Sequence, residues 1–236
     1  MGMVKYEAVI FDLFGTLVKN FKRQEYDQVN AKMAELLNIP FSEFWNLVAE
    51  TGHGYYLGHY QLFEDNLEEI CKRWGEKSDT DRINQAAQHH YEFVRGVIVP
   101  SKEVLDSLEN MKKQGLRIGL ITNCGAAVPI LWEQSPLGRL IDIAVFSCEE
   151  HVMKPDIAIY QATALRLNVQ PEACIYVGDG SYNELTNAAA AGMFPILKRT
   201  ELDDVYDNQR PEVENWSGLA IDEISELMDI VNELEA

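Results

Sequence analysis

Residues 7–17 read Glu-Ala-Val-Ile-Phe-Asp-Leu-Phe-Gly-Thr-Leu. An apolar run, Ala8 to Phe11, carries one carboxylate, Asp12, into a turn loosened by Gly15 and followed by Thr16. A buried strand that ends in an acid, then a glycine turn, puts that acid at the carboxyl edge of a sheet. Open α/β folds hold their ligands there. Position 14 is phenylalanine. A second acid at that place would complete a catalytic pair, and a phenyl ring does not.

Outward from this stretch the pattern turns helical. Phe21 to Asn38 carries Tyr26, Val29, Met33, Leu36 and Leu37 near helical spacing, and Pro40 ends it. Phe41 to Glu50 reads as a second helix. Thr51 to Tyr60 reads as a loop rich in glycine and aromatics. Leu62–Trp74 and Arg82–Arg95 read as two more helices. From Pro100 the chain alternates. Helices are expected at Lys102–Gln114, Ala126–Gln134, Asp156–Leu167 and Tyr182–Ala191, and strands at Leu116–Thr122, Ile141–Phe146, Ala173–Val177 and Phe194–Leu197. The acidic stretch 201–217, with Pro211, reads as a surface loop, and Asp222–Leu234 as a docked terminal helix. Strands alternating with helices predict an α/β fold with a parallel sheet covered on both faces. Residues 18–95 form an all-helical insert, and residues 1–17 with 96–236 form the core.

The 236 residues are 47% hydrophobic, enough for a sizeable core. Lys and Arg number 20 against 38 Asp and Glu, a net charge of −18. That balance excludes a nucleic-acid binder and an anionic membrane surface as first expectations. It leaves room for an anionic substrate, because a bound cation reverses the local field. One cation, Lys5, precedes the first β-like run, so no secretory leader is expected. No apolar segment has membrane-spanning length. Cys71, Cys124, Cys148 and Cys174 form no CxxC pair, so neither a disulfide framework nor a zinc site is expected. The expected compartment is cytoplasmic. Nothing in the pattern bears on oligomeric state.

Three more polar groups fall at strand ends: Thr122-Asn123, Lys154 before Pro155, and Gly178-Asp179-Gly180-Ser181. A carboxylate nucleophile, a hydroxyl, a lysine and a second acid on one rim are the parts that phosphoryl transfer needs. Phe11-Asp12-Leu13-Phe14-Gly15-Thr16-Leu17, Ile121-Thr122-Asn123, Lys154-Pro155 and Gly178-Asp179 through Asn183-Glu184 resemble, in order, the four motifs of the haloacid dehalogenase-like hydrolases. The resemblance covers essentially the whole chain. It implies a Rossmann-like core, with the helical insert as a small cap.

By that resemblance Asp12 is the nucleophile and forms an aspartyl-phosphate. Thr122 and Lys154 hold phosphate oxygens, with Asn123 helping. Asp179 binds Mg²⁺ with Asp12 and the backbone carbonyl of Phe14, while Thr16, Asn183 and Glu184 stand in the outer shell. The loop 51–60, with His53, Tyr56 and His59, would select the substrate. Asp12 and Asp179 side by side would repel without a cation between them, which supports a metal.

Phe14 departs from the family's phosphatases, most of which carry a second aspartate there. Losing its acid–base help costs ~10²–10⁴ in rate, or roughly 3–5 kcal/mol of barrier. Either the substrate is a small phosphate ester with a good leaving group, such as an acyl or aryl phosphate, or His53, His59 or His151 supplies the proton. An alternative is a 2-haloacid dehalogenase with Asp12 attacking carbon, which Phe14 and Lys154 with Tyr160 resemble. Its expected cap cation is missing, since no Lys or Arg lies between Lys32 and Lys72. A further alternative is a catalytically weak protein that only binds phosphate esters.

Overall fold

The computed structural model describes residues 6–75, 77, 79–206, 210 and 212–234. Lys5 and Pro211 lie outside the described residues. The elements in order are β1 (Ala8–Phe11), α1 (Arg23–Leu37), α2 (Phe41–Tyr56), α3 (Phe63–Trp74), α4 (Thr80–Val97), α5 (Lys102–Lys113), β2 (Arg117–Thr122), α6 (Ala127–Trp132), β3 (Ile143–Phe146), α7 (Ser147–Glu150), α8 (Ile157–Leu167), β4 (Cys174–Gly178), α9 (Glu184–Ala190), β5 (Phe194–Lys198), β6 (Ala220–Ile221) and α10 (Leu227–Leu234).

The six strands form one sheet in the order β3-β2-β1-β4-β5-β6, and every pair is parallel. Both faces are buried, which is why the strands read as unbroken apolar runs. Val9 and Phe11 pack on one face with Leu120, Val177 and Leu227, and Ala8 and Ile10 pack on the other with Tyr160, Tyr176 and Leu185. β1 lies between β2 and β4, where the strand order reverses. Phe11 pairs with both Leu120 and Val177, so Asp12 emerges in the crevice between two neighbouring strand ends.

α1 to α4 bury a separate apolar cluster that includes Met33, Phe44, Phe63, Leu67, Ile70 and Ile83. Asp79 caps α4 by accepting the N–H groups of Asp81 and Arg82. The expected loop at Thr51 is instead the last part of α2. The helical period runs on through Phe44, Val48, Thr51 and Tyr55, and the Thr51 hydroxyl donates to Leu47 O at 2.9 Å. Packing of that face overrides the weak helix propensity of Gly52 and Gly54. Tyr55 then reaches the core: a side chain at Gly125 would sit 1.9 Å from its ring, and its hydroxyl accepts the Ala127 N–H at 3.3 Å.

Two other expectations are corrected. Stretch 201–217 is not simply a surface loop, since Val205, Arg210 and Glu212 are buried. Glu212 accepts the N–H groups of Leu185 and Thr186 and so caps α9 from a distance. The helix expected from Tyr182 starts only at Glu184, because Tyr182 and Asn183 are left-handed, with φ of 53° each. Among the described residues no helix is long and apolar enough to cross a membrane.

Candidate active site

Asp12 is 4% exposed and is gripped from two sides. Its Oδ1 accepts from Lys154 Nζ at 2.5 Å, and its Oδ2 accepts from the Thr16 hydroxyl at 3.2 Å. Burial holds the Asp12 carboxyl above its usual range, Lys154 pulls it back down, and Asp179 pushes it up. Lys154 also donates to Glu184 Oε2 at 2.6 Å. Burial alone would lower the Lys154 ammonium, but Asp12 and Glu184 outweigh that and hold it above its ordinary value. Glu184 has its carboxyl pushed up to about 8, chiefly by burial, with Lys154 opposing.

Asp179 follows β4, and its Oδ2 lies 2.7 Å from Arg210 Nη2 and 3.3 Å from Asn20 Nδ2. The turn after β1 presses close against it. Gly15 has φ +85°, and a Cβ there would stand 2.1 Å from Asp179 Oδ2. Carboxylate oxygens of Asp12, Asp179 and Glu184 lie within 4.8 Å of one another, all buried. That is an oxygen-rich nest of the kind hard cations take. Glu184 is already engaged by Lys154, by the Tyr176 hydroxyl at 2.7 Å and by the Gly180 N–H at 3.0 Å.

Thr122 ends β2 beside Asp12. It is buried, and its hydroxyl has no hydrogen-bond partner among the described residues. Asn123 lines the same cavity as Asp12, and its amide bonds the Lys154 backbone, donating to the carbonyl at 3.0 Å and accepting the N–H at 2.8 Å. It therefore positions Lys154.

Asp12, Phe14, Thr122, Lys154 and Arg210 line one cavity of about 800 Å³. The helical group supplies much of its other wall, including Phe21, Tyr26, Trp45, His53, Tyr55 and Tyr56. Phe14 meets Phe21 edge to face with ring centroids 4.7 Å apart. His53, Tyr56 and the left-handed Asn183 line this cavity. His59 is not in it; its N–H donates to Gly54 O, and its ring folds back on that turn. His151 is not in it either, because its Nδ1–H is bonded to Leu57 O at 2.8 Å. Cys124 also lines the cavity, and burial pushes its thiol well up, which disfavours the thiolate.

The main residue that sequence reasoning missed is Arg210, hidden in a stretch whose acidic composition reads as solvated. One basic residue among many acids was the available signal.

The family model of the haloacid dehalogenase-like hydrolases matches residues 6–192. Glyceraldehyde 3-phosphate phosphatase of Methanopyrus kandleri is 26% identical over 237 residues, covering 97% of this chain and 98% of that protein. Among solved structures, a 2-haloacid dehalogenase from Pseudomonas syringae superposes with a TM-score of 0.68 at 21% identity, covering 97% of this chain and 99% of that one. An enzyme of the same family from Bacteroides thetaiotaomicron, solved with magnesium and inorganic phosphate, gives 0.64 at 15% identity and covers 84% and 96%.

Proposed function

We propose, from the premise that the chain belongs to the haloacid dehalogenase-like hydrolases, that it is a cytoplasmic Mg²⁺-dependent phosphohydrolase acting through Asp12. Its substrate is a small phosphate ester with a good leaving group, an aryl or acyl phosphate. The observation that carries this reading is the pairing of a lysine-held carboxylate with a buried, unpartnered hydroxyl, Thr122, at one end of a cavity. A relative of nearly full coverage that is a glyceraldehyde 3-phosphate phosphatase supports the phosphohydrolase part of this reading, and the four cysteines, all buried and none in a disulfide among the described residues, fit a reducing compartment.

An Asp12 carboxylate oxygen attacks phosphorus, and the ester P–O bond breaks with its electron pair leaving on the departing oxygen. Water then cleaves the aspartyl-phosphate, returning Asp12 and releasing phosphate. Thr122 and the Lys154 ammonium hold phosphoryl oxygens, and Asn123 and Glu184 keep Lys154 in place. Asp12, Asp179 and the Phe14 carbonyl are the residues that would hold Mg²⁺. The ion would offset charge on the phosphoryl group. Residues 18–95 serve as a cap that closes the cavity over Asp12.

Arg210 holds the Asp179 carboxylate that a divalent cation would also need. Arg210→Gln is therefore expected to bind Mg²⁺ about tenfold more tightly, the equivalent of one charge-assisted hydrogen bond. Calorimetric titration with magnesium chloride checks this, and an unchanged affinity would place ion and guanidinium apart. Phe14→Asp restores the missing acid. Its kcat on alkyl phosphates is expected to rise ~10²-fold, the low edge of acid–base contributions. A fall on every phosphate tried would refute the account of position 14.

One observation favours a second reading, hydrolytic dehalogenation: Phe14 replaces the acid and Arg210 neutralises Asp179 without a metal. That reading requires halide release from a 2-haloacid in the presence of chelator.

A further inference from the structure

Three polar side chains sit inside the apolar cluster of the helical group. Asn30 on α1, Asn66 on α3 and His90 on α4 are 0%, 4% and 5% exposed. Each leaves an atom without a hydrogen-bond partner: Asn30 Oδ1, Asn66 Nδ2 and His90 Nδ1. All three line the same cavity as Asp12. Buried polar groups are nearly always paired, and leaving one unpaired is costly. Three from three different helices, in one wall, are not a packing accident. Leucine or phenylalanine would fill the same space without that cost.

Two of the groups are also fixed in place. Asn30 Nδ2 donates to Tyr26 O at 2.7 Å, which settles which end of that amide is left over. The His90 ring stacks on Phe63 with centroids 3.8 Å apart and planes at 18°. We propose that Asn30, Asn66 and His90 form a subsite for the leaving group, taking a neutral hydroxyl or carboxamide at the end of the substrate remote from phosphorus. This rests on the phosphohydrolase reading for the other end of the cavity.

The chemistry selects a neutral group. The subsite offers an amide acceptor, an amide donor and an imidazole that burial keeps uncharged, its pKa lowered to about 3. A hydroxyl or carboxamide both donates and accepts and so answers this set. A carboxylate or ammonium would find no counter-charge in these three side chains, and an alkyl end would leave all three unpaired. A site built to bond a polar group rejects the analogue lacking it far more strongly than an apolar pocket rejects an added hydroxyl.

The test uses para-(hydroxymethyl)phenyl phosphate and para-ethylphenyl phosphate, which are nearly isosteric and release phenoxides of similar basicity. The wild type is expected to prefer the hydroxymethyl ester at least ~10-fold in kcat/KM. In Asn66→Leu and His90→Phe that ratio should fall to about one, chiefly through loss of turnover of the hydroxymethyl ester. A wild-type ratio of one, or variants that lower both esters equally, would overturn the proposal. If neither ester is hydrolysed, the phosphohydrolase reading fails. The free phenols, para-(hydroxymethyl)phenol and para-ethylphenol, then test the subsite alone by calorimetry, with the same preference expected and equal binding overturning it. Without ligand, both variants are expected to melt at or above the wild-type temperature, since each removes an unpaired buried group. A lower midpoint in both would assign these atoms to structure and also overturn the proposal.

Discussion

Asp12→Asn is expected to lower turnover by roughly 10⁴-fold or more, the scale on which removal of an attacking group is felt, while the protein stays folded. The two halves of this expectation have separate causes. The amide is nearly isosteric: its Oδ1 still accepts from Lys154, and its NH₂ takes the place of Oδ2 and donates to the Thr16 hydroxyl oxygen, so the grip on residue 12 survives. It also relieves the repulsion from Asp179 that holds the Asp12 carboxyl up. What it lacks is a negative oxygen to bond phosphorus. Phosphate release from an aryl phosphate, with a melting curve beside it, checks both halves. Turnover within tenfold of wild type would remove Asp12 from its role.

Lys154→Met is expected to have the largest effect on stability. The ammonium is 1% exposed and bridges Asp12 and Glu184. Its removal strands two buried carboxylates, and breaking such a pair from one side costs about 3–5 kcal/mol. For a chain of this size that lowers the melting midpoint by on the order of 10 °C. Adding Glu184→Gln should recover part of the loss, because one stranded charge goes with it, and the double-mutant cycle measures the coupling. A Lys154→Met protein as stable as wild type would mean that both acids take up protons without penalty. The same substitution also removes the proposed phosphate contact, so the assay must be run well below the new midpoint.

The sheet was legible because β1, β2 and β4 are unbroken apolar runs, and the polar groups stand right at their ends. Asp12, Thr122 and Asp179 were readable for that reason, whereas Lys154, which lies beyond β3 and α7, was readable only from its motif with Pro155. β6 was not readable: a two-residue strand, Ala220–Ile221, carries no period. The end of α2 was misread because Gly52 and Gly54 look like breakers, while Thr51 and Tyr55 quietly continue the buried face. The bonds from the Asn123 amide to the Lys154 backbone were not readable, because a sequence names a polar side chain without showing where it is turned. Arg210 and the polar trio of the helical group needed tertiary structure outright. A lone arginine in an acidic stretch, an asparagine in an amphipathic helix and a histidine beside an aromatic are all ordinary on paper. Only their convergence on one cavity gives them meaning.

The segment around residue 210 has one more consequence. The stretch that the family pattern recognises stops at residue 192, yet the guanidinium on Asp179 and the carboxylate capping α9 come from residues 210 and 212. Tyr206 from the same segment rests on Tyr26, with centroids 4.7 Å apart. A recombinant fragment trimmed to the recognised boundary would keep all four motifs and still expose a carboxylate, fray a helix and lose part of the roof. For this protein, the shortest stretch that identifies the lineage is shorter than the shortest stretch that builds a working pocket.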